Sequence, residues 1–138
     1  MTSLELAPAW RGFPGASVEA LEQLRQQLPP RIPAGYFDLL AMTDGGEGPL
    51  PVQPYNCYLD DVTTMLAGCS EAWRRDWLEQ GFFIIGGDGG GEFLAFHLRA
   101  SEALPLVAID MVVGAESAKE VARTCEAFGA MLGHEPEE

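Results

Sequence analysis

The stretch Ile84-Ile85-Gly86-Gly87-Asp88-Gly89-Gly90-Gly91-Glu92-Phe93-Leu94 constrains this chain more than any other part of it. Before the glycines, residues 82–85 are apolar and β-favouring. After them, residues 92–99 alternate, with Leu94, Phe96 and Leu98 facing one way and Phe93, Ala95 and His97 the other. A glycine-rich connection between two such runs predicts a β-hairpin, because glycine reaches positive φ at no steric cost and Asp88 can hydrogen-bond the backbone of its own turn. A second acidic glycine turn, Thr43-Asp44-Gly45-Gly46-Glu47-Gly48, follows a helical pattern, and Gly45 and Gly46 are expected to supply its left-handed stop.

Both turns set carboxylates among glycines, so each is first a candidate ligand loop. A phosphate loop aims its amides from a following helix N-terminus, usually with a Lys-Ser/Thr pair closing the glycine run. Here Gly91 leads into Glu92 and a period-two strand, which places a negative charge and the wrong element beside the phosphate. The dinucleotide fingerprint fails for the same reason. Asp44 with Glu47, and Asp88 with Glu92, offer hard oxygens to calcium, yet neither turn has the alternating acidic series of a calcium loop. Neither Gly-x-Ser-x-Gly nor His-Glu-x-x-His occurs, and the two histidines, His97 and His134, fall in a strand pattern and a polar tail. Cys57, Cys69 and Cys125 are odd in number and widely spaced, which signals neither a disulfide framework nor a zinc site. The expectation is no catalytic residue, no metal and no cofactor. Gly45, Gly46, Gly86, Gly87, Asp88, Gly89, Gly90, Gly91 and Glu92 are then turn residues that serve the fold.

The 138 residues fit one domain with an irregular lead over residues 1–16 and an acidic tail over 134–138. Ser17 is a good N-cap for a helix carrying Val18, Leu21, Leu24 and Leu28. Pro29 and Pro30 end it, and Pro33 opens a second helix through Tyr36, Phe37, Leu39, Leu40 and Met42. Residues 56–59 read as a short strand, and Asp60 or Asp61 as the cap of a brief helix with Val62, Met65 and Leu66. Residues 70–80 read as another helix, closed by Gly81, with Trp73 and Trp77 as core anchors. A further strand is expected over residues 106–111, and a terminal helix from Ser117 with Val121, Cys125, Phe128 and Leu132 on one side.

Charge narrows the partners. Eight basic against twenty-one acidic residues give −13, and residues 36–72 hold Asp38, Asp44, Glu47, Asp60, Asp61 and Glu71 with no Lys or Arg. Phosphate neutralisation needs clustered cations and the chain has a single lysine, Lys119, so direct binding to nucleic acid or to an anionic membrane is disfavoured. The same field attracts a basic protein and speeds its encounter. Neither a basic, apolar leader nor a run of about eighteen apolar residues is present, which leads to the expectation of a soluble cytoplasmic protein.

Several motifs recur in a telling order. A helix beginning Val18-Glu19-Ala20-Leu21-Glu22 leads to Ile32-Pro33-Ala34-Gly35-Tyr36-Phe37. Then come the two glycine turns, the strand Leu106-Val107-Ala108-Ile109-Asp110 and a final helix with Ala127-Phe128. Over most of residues 17–132 this resembles the SUKH superfamily, which includes fungal cell-wall synthesis regulators and many bacterial immunity proteins. Thr43 to Gly48 is similar to the family's Asn-Gly-Gly, with Asp44 in place of asparagine, and Ile84 to Glu92 to its Ile-Gly-x-Asp-Gly-Gly-Gly-Glu/Asp. Residues 49–80 have little counterpart. The resemblance implies a single α+β domain with helices packed around a mixed, mostly antiparallel sheet. It also implies a non-enzymatic binding module, for bacterial members typically an immunity protein that neutralises a cognate toxin. Toxins met by such family members are typically basic nucleases or deaminases, which the resemblance therefore implies and the acidic charge suits. The expected surface is Asp44, Glu47, Tyr55, Tyr58, Asp60 and Asp61, where acids lie near aromatics able to anchor an interface. Two other readings remain open: a regulatory scaffold or adaptor of the fungal type, and a small ligand-binding protein or hydrolase with a cleft near the hairpin.

Overall fold

The computed structural model describes residues 6–99 and 104–136. Seven strands form one sheet in chain order: β1 (Arg11–Gly12), β2 (Gly46–Pro49), β3 (Asn56–Leu59), β4 (Phe82–Gly87), β5 (Glu92–His97), β6 (Leu106–Asp110) and β7 (Lys119–Ala122). Each strand pairs antiparallel with the next, so the expected mixed sheet is wholly antiparallel among the described residues. Neighbours in chain order need no crossover, and the pairing follows. The helices are α1 (Val18–Gln27), α2 (Ala34–Met42), α3 (Val62–Gly68), α4 (Ala72–Glu79) and α5 (Cys125–Met131).

One face of the sheet carries the main core. Leu59, Ile85, Leu94, Phe96 and Leu106 meet Leu24, Leu40, Met65 and Phe128 from the helices. At its centre Tyr36 of α2 lies edge-on to Phe83 and Phe96, with ring centroids 5.6 and 5.9 Å away. The opposite face holds a smaller cluster of Phe82, Ile84, Ala95, Val107 and Ile109, covered by Trp77 of α4 and by Ala115 and Ala118 of the β6–β7 connection. Burial on both faces accounts for the uninterrupted apolar run at the start of β4.

The β4–β5 hairpin forms as the glycines predict. Asp88 Oδ1 accepts hydrogen bonds from the amides of Gly90 at 2.7 Å and Glu92 at 3.1 Å. Within the turn the left-handed residue is Gly89, with φ of +83°, and not Gly90.

Three expectations change. First, α2 stops at Met42 with an extended Thr43 as its cap, so Gly45 and Gly46 are not the helix stop. Gly45 is left-handed, with φ of +82°, and turns the chain into β2, where Gly46 already pairs with Leu59. Second, the lead is not wholly irregular, because residues 11 and 12 add β1 and Trp10 enters the core. Glycine makes room for that indole: a Cβ on Gly46 would come within 2.9 Å of Trp10 Cζ2, and one on Gly48 within 2.8 Å of Cε3. Trp10 Nε1 then donates to Thr43 Oγ1 at 3.1 Å.

Third, the terminal helix does not begin at Ser117. Residues 115–117 form a 3-10 turn, Val121 and Ala122 are buried in β7, and α5 opens only after Thr124, whose Oγ1 accepts from Ala127 N at 3.0 Å. The helical spacing of residues 121, 125, 128 and 132 arises because the buried side of a strand runs on into the buried side of a helix. In the tail, Glu137 and Glu138 lie outside the described residues.

Candidate functional site

The six residues expected to form one recognition surface divide into three groups. Asp44, Asp60 and Asp61 gather at the start of α3. Asp61 is its N-cap, accepting from Thr64 N at 2.7 Å, and Asp44 Oδ1 accepts from Val62 N at 2.8 Å. Two first-turn amides that no intrahelical carbonyl reaches are thereby satisfied.

Asp60 points the other way, to Arg74 of α4. β3 stops at Leu59, so the first half of β4 has no strand on that side. Its carbonyls go elsewhere: Ile85 O accepts from Asp60 N at 3.0 Å, and Ile84 O from Arg74 Nη1 at 2.9 Å. These three acids therefore hold the corner between β3, α3 and α4. Of the glycine-turn residues, Asp44 belongs to that corner.

Glu47 and Tyr58 form the second group. They are directly opposed on β2 and β3, within a row that runs Arg11, Glu47, Tyr58, Gly87, Phe93 and Ile109 across the sheet. Because Leu59 points into the main core, its neighbour Tyr58 points out of the other face. Gly87 is what lets it lie flat, since a Cβ there would stand 2.8 Å from the Tyr58 hydroxyl. Phe93, next in the row, stacks on Trp73 with centroids 5.5 Å apart and takes the edge of Trp77 at 5.8 Å.

The outcome is an aromatic shelf of Tyr58, Phe93 and Trp73 on the outer sheet face, with Glu47 at one end. Trp73 is 38% exposed, so it is not the wholly buried anchor expected of it, while Trp77 is half-buried against Phe82 and Phe93. Partial burial pushes the Tyr58 hydroxyl above its ordinary pKa, aided by the charges of Asp60 and Asp88 and opposed by Arg74. Tyr58 is thus a neutral donor at physiological pH. Arg11 reaches Glu47 at 3.5 Å, but both side chains are well exposed and such a pair is weak.

Tyr55 stands apart from both groups. It closes the loop over residues 50–55, donating to Val52 O at 2.8 Å and accepting from Leu50 N at 3.0 Å, with φ of +69° and half its surface exposed.

The alternation of residues 92–99 sets Phe93 opposite Leu94, Phe96 and Leu98, but only strand register places Phe93, and with it Trp73, in one row with Tyr58 across Gly87. Among the described residues, no group of three His, Cys, Asp or Glu is placed to hold a metal ion, and no helix is long and apolar enough to cross a membrane. His97 stacks on Phe82 at 4.6 Å, a packing contact. No protein-family model matches the chain, and no curated protein matches it in sequence. What the outer face offers chemically is contact: rigid aromatic surface beside an unburied carboxylate.

Proposed function

We propose that the chain is a protein-binding module that meets a basic partner with its outer sheet face, and that its particular role is that of a SUKH-type immunity protein neutralising a basic nuclease or deaminase toxin. The observation that carries the reading is the Glu47–Tyr58 pair running into Phe93 and Trp73. Aromatics held on a sheet lose little side-chain entropy on binding and supply the largest contact area per residue, as interface anchors do. A net charge of −13 raises the encounter rate with a cationic protein and competes with that protein's nucleic-acid substrate.

Co-expression with basic nuclease and deaminase toxin domains, beginning with any encoded beside its gene, tests this. Growth should be restored, and the complex should associate more slowly as salt rises. Changing Tyr58→Ala together with Glu47→Lys should abolish protection in a chain that still folds. Protection by none of these pairings, or protection indifferent to the double variant, rejects the reading.

A further inference from the structure

One end of the sheet carries a second surface of different make-up. Three segments meet there: the loop over residues 50–55, the glycine turn, and the tip over residues 111–113. Asn56 Nδ2 donates to Asp88 O at 3.0 Å and Met111 N to Gly91 O at 2.9 Å, which fastens the glycine turn to the other two. A groove of about 420 Å³ opens between Val52, Gln53 and Pro54 on one side and Val113 on the other. That volume falls within the range of binding clefts.

Apolar side chains face solvent at and beside the groove: Val113 lines it, and Val112 and Tyr55 are the chain neighbours of the lining residues Val113 and Pro54. Val112 is 94% exposed, Val113 55% and Tyr55 50%. The two valines are pinned there: Asp110 Oδ1 accepts from both of their amides, at 2.8 and 2.9 Å, and Ser117 Oγ accepts from Asp110 N at 2.8 Å while donating to Gly114 O at 2.7 Å. A fold that fixes large apolar side chains in water beside a concavity is presenting them to another molecule.

Charge selects the occupant. Glu92 and Asp110 line the groove on the sheet face that carries Ala108 and Val121, against one cation, Lys119, while Glu120 opposes Val107 and turns its side chain to the other face. A second copy of a chain at −13 would meet its own repulsion, whereas a cationic side chain finds an excess of carboxylates and an apolar collar for its methylene stem. We infer that the groove is a docking site for an arginine or lysine side chain on an extended segment of a partner protein, with Val112, Val113 and Tyr55 packing the residues that flank it. This rests on the reading of the chain as a module for basic proteins and adds a contact separate from the Tyr58 face.

The test is titration of the isotopically labelled chain with the blocked tripeptides Val-Arg-Val and Val-Glu-Val, followed by amide shifts. Saturable shifts at Val52, Gln53, Val113 and Lys119 are expected with the arginine peptide and none with the glutamate peptide. Glu92→Gln should weaken binding about tenfold or more. Lys119→Gln, at an exposed position, should tighten it. Shifts that spread over the whole acidic surface without saturating, or a Lys119→Gln variant that binds more weakly, overturn the inference. The two readings fail separately: toxin protection with no groove shifts removes the groove alone, and groove binding without protection by any toxin pairing removes the immunity role alone.

Discussion

Arg74 and Asp60 meet at 2.8 Å with little of either side chain in water, 10% and 16% exposed. Arg74 also lies 4.5 Å from the Trp73 ring centroid, so one guanidinium joins β4, the β3–α3 corner and the outer aromatic shelf. Removing one partner strands the other charge in a poorly solvated place, which typically costs about 3–5 kcal/mol. Arg74→Ala should fall in that range, because the Ile84 carbonyl also loses its donor. Urea denaturation measures it, and a loss under about 1 kcal/mol would contradict the assignment. Charge reversal at Asp60 should likewise unfold the corner, so it reads out stability and not partner binding.

The hairpin glycines should separate by mechanism. A Cβ on Gly86 would run into the carbonyl of Tyr58 on the neighbouring strand, a backbone atom with no rotamer to escape through. Gly86→Ala should therefore be the most damaging. A Cβ on Gly89 would make only an ordinary contact with Asn56 Nδ2 at 3.7 Å, but its φ is +83°, so Gly89→Ala should cost about 1–2 kcal/mol from the backbone alone. Gly90 has neither constraint, and Gly90→Ala should stay within about 0.5 kcal/mol. A Gly90→Ala variant that melts below the Gly89→Ala variant would reverse this account.

Trp10 makes a claim about the first glycine turn. Its indole fills the bed left by Gly12, Gly46 and Gly48, and Gly133 approaches the Trp10 backbone from the far side. Trp10→Ala should cost about 3–5 kcal/mol in denaturant, as large core truncations do. Trp10→Phe should cost less, since Thr43 Oγ1 loses the indole donor but keeps its own bond to Gly45 O at 2.6 Å. Equal losses for the two variants would show that packing against the glycines is not what holds the lead.

What could be read from sequence was what is local. The hairpin depends on a glycine run and two short alternations, and the caps Ser17 and Asp61 act on amides three residues ahead. Trp10 left only a negative trace: Gly46 and Gly48 fall on one face of a strand, which records that something fills the space but not what. Asp60 and Asp61 are adjacent and chemically alike; the placement of α4 makes Asp60 a part-buried ion-pair partner, while Asp61 caps α3 locally. The outer row of Glu47, Tyr58 and Phe93 is set by register across β2 to β5, a tertiary property that no window of sequence contains. β7 carries a helical signature in the sequence because its two buried residues prolong the spacing of α5.

The three thiols should react in two classes. Cys57 and Cys125 are buried, and burial pushes both up, Cys125 to about 12 with help from the charges of Glu126 and Asp38. Cys69 is only half-buried, and its Sγ lies 2.9 Å from Gln27 Oε1 on the protein surface. Since the thiolate is the reacting species, a disulfide reagent at pH 8 should titrate one thiol in the native chain and three in denaturant. More than one fast thiol in the native state would show that the core beneath β3 or α5 opens readily.

Asp110 gives the exposed tip a pH dependence of definite sign. The amides of Val113 and Val112 hold its carboxyl below the ordinary value of 3.8. A group whose pKa is depressed by folding contributes stability in full above its unfolded pKa and loses it as pH falls through the folded value. The tip should therefore be insensitive to pH near neutrality and loosen only in acid, below the ordinary aspartate range of about 4. Amide shifts and exchange rates of Val112 and Val113 followed against pH report this directly. Asp110→Asn should remove the titration step and raise exchange at both amides at every pH, since an amide oxygen is the weaker acceptor. A midpoint at or above the ordinary aspartate value, or valine amides indifferent to Asp110→Asn, would mean that the carboxylate does not hold the tip, and the valines beside the groove would then owe their exposure to some other contact.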